Sequence, residues 1–188
     1  IADIRELVTM LPSNNEGDVY TDNCEDDLNR VCNSMAEMNG DPRYLLSELS
    51  DGHVFFETKE SYAKNMVTGF IKLNGMTVGA VANCSVVYGE DGSKAEEFDL
   101  ALTAKGCEKA TEFIQYCDAF SIPVVTLIDT VGYDVTVDSE LDGNAKAAAV
   151  LTKAYANATT VKVALVTGKA YGPAFMTFAG KASGADTV

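Results

Sequence analysis

Two glycine-containing turns are the parts of this sequence best suited to chemistry. Val131-Gly132-Tyr133 follows the apolar run Ile122–Thr130, and Tyr171-Gly172-Pro173-Ala174 follows the apolar run Val161–Thr167. A tight turn between a strand and a helix directs free backbone N–H groups at whatever lies beyond the strand. Two such turns on neighbouring strands could bring their N–H groups to one oxygen and stabilise negative charge there. By spacing alone, ordinary helix-starting turns are the commoner interpretation, and Pro173 has no N–H to offer.

The side chains offer few other catalytic groups. His53 is the only histidine, so a nucleophilic Cys–His pair would have to use it, and its Asp-Gly-His-Val context predicts a turn. Neither a phosphate-binding loop nor a zinc-ligand spacing is present, and no metal site is predicted. Asp129 could be a base, but bracing its turn is favoured, and Asp138 and Glu140 would face the dipole of the helix that follows them. The predicted chemistry therefore uses backbone groups or a cofactor.

Composition narrows the class of protein. The 188 residues carry a formal net charge of −14 with a pI near 4.3, which argues against nucleic-acid and anionic-membrane partners. No apolar run approaches the roughly 20 residues of a membrane helix, so direct insertion is not expected. Five cysteines, an odd number without a CxxC pair, indicate reduced thiols and a cytoplasmic location.

The first half of the chain predicts helices and loops followed by a hairpin. A short N-terminal helix precedes an Asn- and Asp-rich exposed loop, Pro12–Asp27, and a modest helix starts near Asp26. Pro42–Leu49 predicts a second short helix, because proline suits a first turn. After a strand at Val54–Glu57, two alternating apolar runs flank Asn74-Gly75, which predicts a hairpin with a type I′ turn.

The second half alternates between helices and strands, which predicts parallel strands joined by crossovers. The predicted elements are apolar positions at helical spacing within Ala95–Phe120, a buried strand Ile122–Thr130, a helix Asp142–Ala158, a strand Val161–Thr167 and a helix from the second turn to about Lys181. Gly184–Val188 resembles the start of a further strand. The sequence is therefore expected to be part of a longer fold.

Several ordered segments together resemble a known family. The segments are LPSNN (Leu11–Asn15), DDLNR (Asp26–Arg30), YAKNMVTGFIKLNGMTVGAVAN (Tyr62–Asn83), CDAFSIPVVTLIDTVGY (Cys117–Tyr133) and KAYGPAF (Lys169–Phe175). In order and spacing they resemble the C-terminal half of the carboxyltransferase subunit of biotin-dependent acyl-CoA carboxylases and of related acyl-CoA decarboxylases. The resemblance covers nearly the whole chain.

The resemblance implies an α/β fold, a crotonase-like ββα superhelix truncated at both ends. It implies one C-terminal carboxyltransferase domain over 1–188, with a lead-in at 1–50 and a ββα core at 51–188. An N-terminal half would bind the acyl-CoA substrate, and biotin on a separate carrier protein would enter from the present half. The implied partners are this N-terminal half, the biotin carboxyl carrier protein, biotin carboxylase and further copies of the subunit, as a dimer or a trimer of dimers.

The resemblance also assigns roles to both turns. Family members are thought to stabilise the charged ureido oxygen of biotin with backbone N–H groups. The matching catalytic positions here are Gly132, Tyr133, Gly172, Pro173 and Ala174, and the matching biotin-contacting positions are Tyr171, Phe175 and Met176. Pro173 replaces a family glycine, which leaves Ala174 as the preferred donor. Carboxylation of an acetyl- or propionyl-type acyl-CoA, decarboxylation in a sodium-pumping complex, and a non-catalytic scaffold all stay open.

Overall fold

The computed structural model describes residues 1–17, 21–27, 29–32, 39–89 and 91–188. The helices are α1 (Ala2–Met10), α2 (Pro42–Leu49), α3 (Ala104–Ala119), α4 (Val137–Leu141), α5 (Asn144–Asn157) and α6 (Gly172–Ala179). The strands are β1 (Phe55–Thr58), β2 (Met66–Leu73), β3 (Met76–Asn83), β4 (Val86–Tyr88), β5 (Lys94–Glu97), β6 (Ala101–Leu102), β7 (Val124–Thr130), β8 (Gly132–Tyr133) and β9 (Lys162–Ala170). Short 3-10 turns lie at Asp51–His53 and Lys181–Ser183.

A five-stranded sheet in the order β1-β2-β3-β7-β9 forms the centre of the molecule. The pairs β1–β2 and β2–β3 are antiparallel, whereas β3–β7 and β7–β9 are parallel, as the alternating pattern predicted. One apolar cluster lies on the side of α3 and α5, and a second cluster lies under α2. β4 pairs with β5, and β6 pairs with β8. None of the described helices is long and apolar enough to cross a membrane.

The predicted hairpin is confirmed. β2 and β3 pair along their whole length, with Leu73 opposite Met76. Asn74 and Gly75 both have positive φ, 51° and 78°, which is the backbone geometry of a type I′ turn. The twist of this turn matches the right-handed twist of the strands, so the register of the hairpin follows from two residues.

The helix predicted at Pro42–Leu49 is also confirmed. The Asp41 carboxylate accepts a hydrogen bond from the Arg43 N–H at 3.0 Å, which caps the first turn. The Arg43 guanidinium in turn holds both carboxylate oxygens of Glu57, at 2.6 and 3.0 Å, and so ties α2 to β1. α2 thereby covers one face of the hairpin.

The starts of two predicted helices need correction. The helically spaced apolar positions predicted within Ala95–Phe120 lie in α3, but the helix occupies only the part from Ala104, because Lys94–Glu97 pairs as β5 and Thr103 Oγ1 caps the helix by accepting from Gly106 N–H. The helix predicted from Asp142 begins at Asn144, because Gly143 adopts φ 79° and separates it from α4. Asp138 and Glu140 precede α5 as predicted, but they lie in the first turn of the separate short helix α4, so the helix dipole that they face is that of α4.

The strand predicted at Val161–Thr167 is longer than expected. β9 continues to Ala170, so the sequence Gly168-Lys169-Ala170 is strand rather than turn. Asp129 explains the extension: its Oδ1 accepts a hydrogen bond from Lys169 N–H at 2.7 Å, and a Cβ on Gly168 would lie 2.5 Å from the Asp129 carboxyl carbon. The favoured bracing role of Asp129 is confirmed.

The remaining predictions at the two chain ends have mixed outcomes. The helix predicted to start near Asp26 is not present at Asp26, Asp27 or Asn29–Cys32, and its remaining residues lie outside the described part of the chain. Residues 18–20 of the predicted exposed loop also lie outside it. Thr187 forms one isolated parallel bridge with Val163, so that only a single residue of the strand expected from Gly184–Val188 is paired. The division into a lead-in and a core, and the truncation, stay predictions.

Candidate functional site

The structure brings the two predicted turns together. β7 and β9 are parallel neighbours, with Thr130 paired to Ala170 at their carboxyl ends. The Tyr171 N–H donates to Thr130 O at 3.3 Å, immediately before the second turn starts α6. Carboxyl ends of neighbouring parallel strands are where ligands gather in open α/β sheets. Both turns therefore lie at the same end of the sheet, where the parallel strands β7 and β9 finish, as their positions after successive strands in the sequence predicted.

The second turn, at the start of α6, presents unused backbone donors. Its first helical hydrogen bond runs from Phe175 N–H to Tyr171 O at 3.5 Å. Neither Gly172 N–H nor Ala174 N–H has an acceptor among the described residues, and α6 has no side-chain N-cap. Pro173 lies between them, within the first helical turn of α6. At this position an N–H has no hydrogen-bond partner within the helix, so its absence costs the helix nothing. The proline thus removes one possible donor without disturbing the helix.

Open space lies over the glycines of both turns. Gly132 has φ 134° and Gly172 has φ 59°, conformations in which a side chain is strained. A Cβ at either position would meet no atom within 4 Å. The two glycines are therefore required by the backbone conformation, and they leave the adjacent peptide groups accessible to a ligand.

The first turn is more constrained than the second. Gly132 N–H donates to Thr130 Oγ1 at 3.2 Å, and the same hydroxyl donates to Leu100 O at 2.8 Å. This amide is already paired within the chain, in contrast to those of Gly172 and Ala174. The open donors of the site accordingly lie mainly in the first turn of α6.

Tyr133 contacts the second turn through its side chain. The phenol oxygen lies 2.7 Å from Thr177 Oγ1, one helical turn after Pro173. Burial raises the pKa of Tyr133, so the phenol stays neutral and can donate a hydrogen bond. Sequence reasoning assigned Tyr133 a backbone role and missed Thr177; the spacing of four residues from Pro173 to Thr177 was the available signal.

Exposed apolar side chains surround the open donors. Tyr171 is 58% exposed and Met176 is 54% exposed, whereas Ala174 as a whole residue is 0% exposed, so that both its side chain and its N–H lie beneath this rim and only the Gly172 amide lies in an exposed residue. Phe175, which was predicted to contact biotin, is partly buried and packs against the core. The rim formed by Tyr171 and Met176 suits a ligand with an apolar ring or chain next to a polar group.

The cysteines and the histidine do not form a nucleophilic site. Burial raises the pKa of the Cys84 thiol to about 11 and that of Cys107 to about 12, and Cys117 shifts in the same direction. His53 lies at the surface with Nδ1 3.5 Å from Glu48 Oε1. Among the residues that the structure describes, no group of three or more His, Cys, Asp or Glu side chains could hold a metal ion.

Comparison with known proteins identifies the family. The model described as the carboxyl transferase domain matches residues 1–188. Methylmalonyl-CoA decarboxylase subunit alpha of Propionigenium modestum is 34% identical over the whole chain, and the propionyl-CoA carboxylase beta chain of Roseobacter denitrificans is 36% identical over 99% of it. The chain covers only 36% of each of these relatives.

A solved structure confirms the fold. Transcarboxylase 12S, described as a hexamer assembly with hydrolysed methylmalonyl-coenzyme A bound, superposes with a TM-score of 0.81 at 31% identity, over 98% of this chain and 35% of the other. The predicted α/β, crotonase-like architecture is therefore correct. The chain belongs to the carboxyl transferase domain family.

Proposed function

We propose that this chain forms the biotin-side half of a carboxyltransferase active site. The observation that carries the proposal is that the Gly172 and Ala174 amides, at the carboxyl end of the sheet, have no acceptor in the described chain, the Gly172 amide lying in an exposed residue and the Ala174 amide in a buried one behind it. Such preorganised donors stabilise an oxygen on which negative charge develops. They need no catalytic side chain, which agrees with the absence of a histidine or thiolate at this edge among the described residues.

The local chemistry fits a carboxylated biotin group. Open space over Gly132 and Gly172 leaves room for a flat ring, and Tyr171 and Met176 supply apolar contact beside the donors. When bound, biotin would supply the carboxyl group that is transferred. Gly172 N–H would hold the ureido oxygen, and Ala174 N–H, two residues later and buried behind it, would add its dipole to the same side of the site. The Gly132 and Tyr133 turn would form the opposite wall, and Phe175 would support the rim from below.

The acyl substrate is proposed to be of the propionyl-CoA and methylmalonyl-CoA type. The names of the two relatives described above contain one or the other, and their identities to this chain differ by only two percentage points. Carboxylation and decarboxylation are therefore both retained as directions. A biotin carboxylase partner would accompany the first, and a membrane-embedded decarboxylase complex the second.

The site also requires partners. We expect the acyl-CoA-binding half, a separate biotin carrier protein, and further copies of the subunit, as the hexamer named for transcarboxylase 12S suggests. Exposed apolar side chains such as Val163 and Leu165 on β9 offer surface for such contacts. The cytoplasmic location stays a prediction, supported by five unpaired cysteines.

The direct test combines this chain with the acyl-CoA-binding half and a carboxylated biotin carrier. Propionyl-CoA and acetyl-CoA are offered in parallel, and formation of methylmalonyl-CoA or malonyl-CoA is followed by chromatography. The reverse reaction starts from methylmalonyl-CoA and uncarboxylated carrier. We expect transfer with propionyl-CoA to exceed transfer with acetyl-CoA. Absence of transfer in both directions with every acyl-CoA would contradict the proposed function.

A further inference from the structure

Three hydroxyl groups meet between the two turns and α5. Thr177 Oγ1 lies 2.7 Å from the Tyr133 phenol oxygen and 2.8 Å from Thr152 Oγ1, and it also lies 3.1 Å from Pro173 O. Thr177 is only 2% exposed. We call these three side chains, Tyr133, Thr152 and Thr177, the hydroxyl cluster. It joins the first turn, the helix that follows the second turn, and the alanine-rich helix α5.

Counting donors assigns the direction of these hydrogen bonds. A threonine hydroxyl has one hydrogen and can accept two hydrogen bonds. The Pro173 carbonyl can only accept, so Thr177 donates to it and accepts from the Tyr133 phenol. Thr152 shares its hydrogen between Thr177 Oγ1 and Ala148 O, both at 2.8 Å. Thr177 is thereby the centre of the cluster, and it makes the side-chain hydrogen bond that joins Tyr133 to α6.

Apart from the core packing of Ala174 and Phe178, few hydrogen bonds hold the second turn in this position. α6 has no side-chain cap, and its first helical hydrogen bond is 3.5 Å long. The backbone link from Tyr171 N–H to Thr130 O is 3.3 Å. The hydrogen bond from Thr177 Oγ1 to Pro173 O ends in the second turn, on the carbonyl of the peptide group that also carries the Ala174 N–H. Anything that orients Thr177 therefore orients the turn that carries the open donors.

We propose that the hydroxyl cluster is a positioning device, in which Tyr133 and Thr177 fix the Ala174 amide relative to the Val131-Gly132-Tyr133 turn. This inference rests on the proposed function, because it assigns the fixed amide a catalytic task. It changes the role of Tyr133 from a backbone donor to a side-chain support. It also adds Thr152 and Thr177 to the residues on which the site depends.

The test removes single hydroxyl groups without changing side-chain shape. Tyr133→Phe, Thr177→Val and Thr152→Val are compared with wild type in the assembly with the acyl-CoA-binding half. Losing one hydrogen bond is expected to lower kcat by about fivefold to tenfold, with the KM for acyl-CoA unchanged. Amide hydrogen exchange in a peptide covering 171–176 is expected to accelerate by about fivefold. Thr177→Ser keeps the hydroxyl and should restore both values.

The matched control is Tyr116→Phe, which removes a phenol from α3, where the ring packs against Phe70 and Phe120. It should change neither kcat nor exchange in 171–176. Unchanged exchange in both Tyr133→Phe and Thr177→Val would overturn the proposal. Faster exchange with an unchanged kcat would overturn it as well, because the cluster would then be structural only. A wild-type assembly without any transfer would instead refute the proposed function, while the exchange data would still show whether the cluster holds the turn.

Discussion

The antiparallel half of the central sheet (β1, β2 and β3) and its parallel half (β7 and β9) differ in how deeply their strands are buried. β2, between β1 and β3, buries every residue from Met66 to Ile71, whereas β9 at the sheet edge exposes the residues from 165 to 169. The antiparallel half is covered by α2 on one face and α3 on the other. The parallel half has one open edge, and its strands end in the two glycine turns.

This difference separates stability from function. Residues buried on both faces of a sheet contribute through packing, and each change there is felt in the free energy of unfolding. Open strand ends contribute little packing but expose backbone groups to a ligand. We therefore expect substitutions in the antiparallel half to change stability, and substitutions at the turns of the parallel half to change carboxyl transfer.

The largest expected effect is on transfer, from Gly172→Val. A β-branched residue at φ 59° strains the turn, and its methyl groups would fill the open space beside Ala174. We expect kcat/KM for carboxyl transfer to fall by about 100-fold, equivalent to about 2.7 kcal/mol. Gly143→Val is the matched control, since Gly143 has φ 79° and open space but precedes α5. Equal losses of carboxyl transfer in Gly172→Val and Gly143→Val would contradict a specific role of the second turn in transfer.

The next largest effect is expected on the free energy of unfolding, and two valines, one in each half of the sheet, allow a matched comparison. Val67 on β2 is 0% exposed and Val163 on β9 is 38% exposed. We expect Val67→Ala to lower the free energy of unfolding by about 2 kcal/mol and Val163→Ala by about 0.5 kcal/mol. Urea denaturation of the isolated chain measures both. A larger loss at Val163 would show that the edge strand carries more packing than its exposure indicates.

A pH-dependent effect is expected next, at Lys109 on α3. The side chain is almost fully buried, and Nζ donates to Tyr62 O at 2.8 Å. Burial lowers the pKa of Lys109 from 10.5 to about 8. Between these two values the unfolded chain binds more protons than the folded chain, so the Lys109 contribution to stability rises with pH.

Lys109→Met removes this contribution and is the comparison that isolates it. The free energy of unfolding of wild type minus that of Lys109→Met should increase by about 1–2 kcal/mol from pH 7.5 to pH 9.5. Taking the difference cancels the buried cysteines, whose raised pKa values act in the opposite direction in both proteins. A flat difference over this pH range would mean that Lys109 titrates normally.

The smallest effect is expected from Pro173→Gly. Glycine restores an N–H in the first turn of α6 but loosens the unfolded chain, so stability should fall by less than about 1 kcal/mol. Carboxyl transfer should stay within about twofold of wild type, because Gly172 already supplies the donor. Transfer that appears only in the glycine variant would favour the non-catalytic scaffold over the proposed function.

Much of the fold could be predicted because short-range signals decided it. The hairpin followed from Asn74-Gly75 between two alternating runs, and α2 followed from Asp41-Pro42. The start of α3 within Ala95–Phe120 could not be predicted, because the pairing of β4 with β5 competes with helical spacing, and spacing does not reveal a partner strand elsewhere in the chain. The end of β9 was wrong because Gly168 usually signals a turn, whereas here it makes room for the Asp129 carboxylate.

The sequence by itself determined the family, the hairpin, the alternation of helices and parallel strands in the second half, and the presence of two glycine turns at strand ends. These features depend on residue type, spacing and local backbone preference. Only the tertiary structure decided that Gly132 N–H is paired while Gly172 and Ala174 N–H have no acceptor in the described part of the chain, and that Tyr133 contacts Thr177. Those facts depend on where three separate segments meet, because hydrogen-bond partners far apart in the chain are selected by packing.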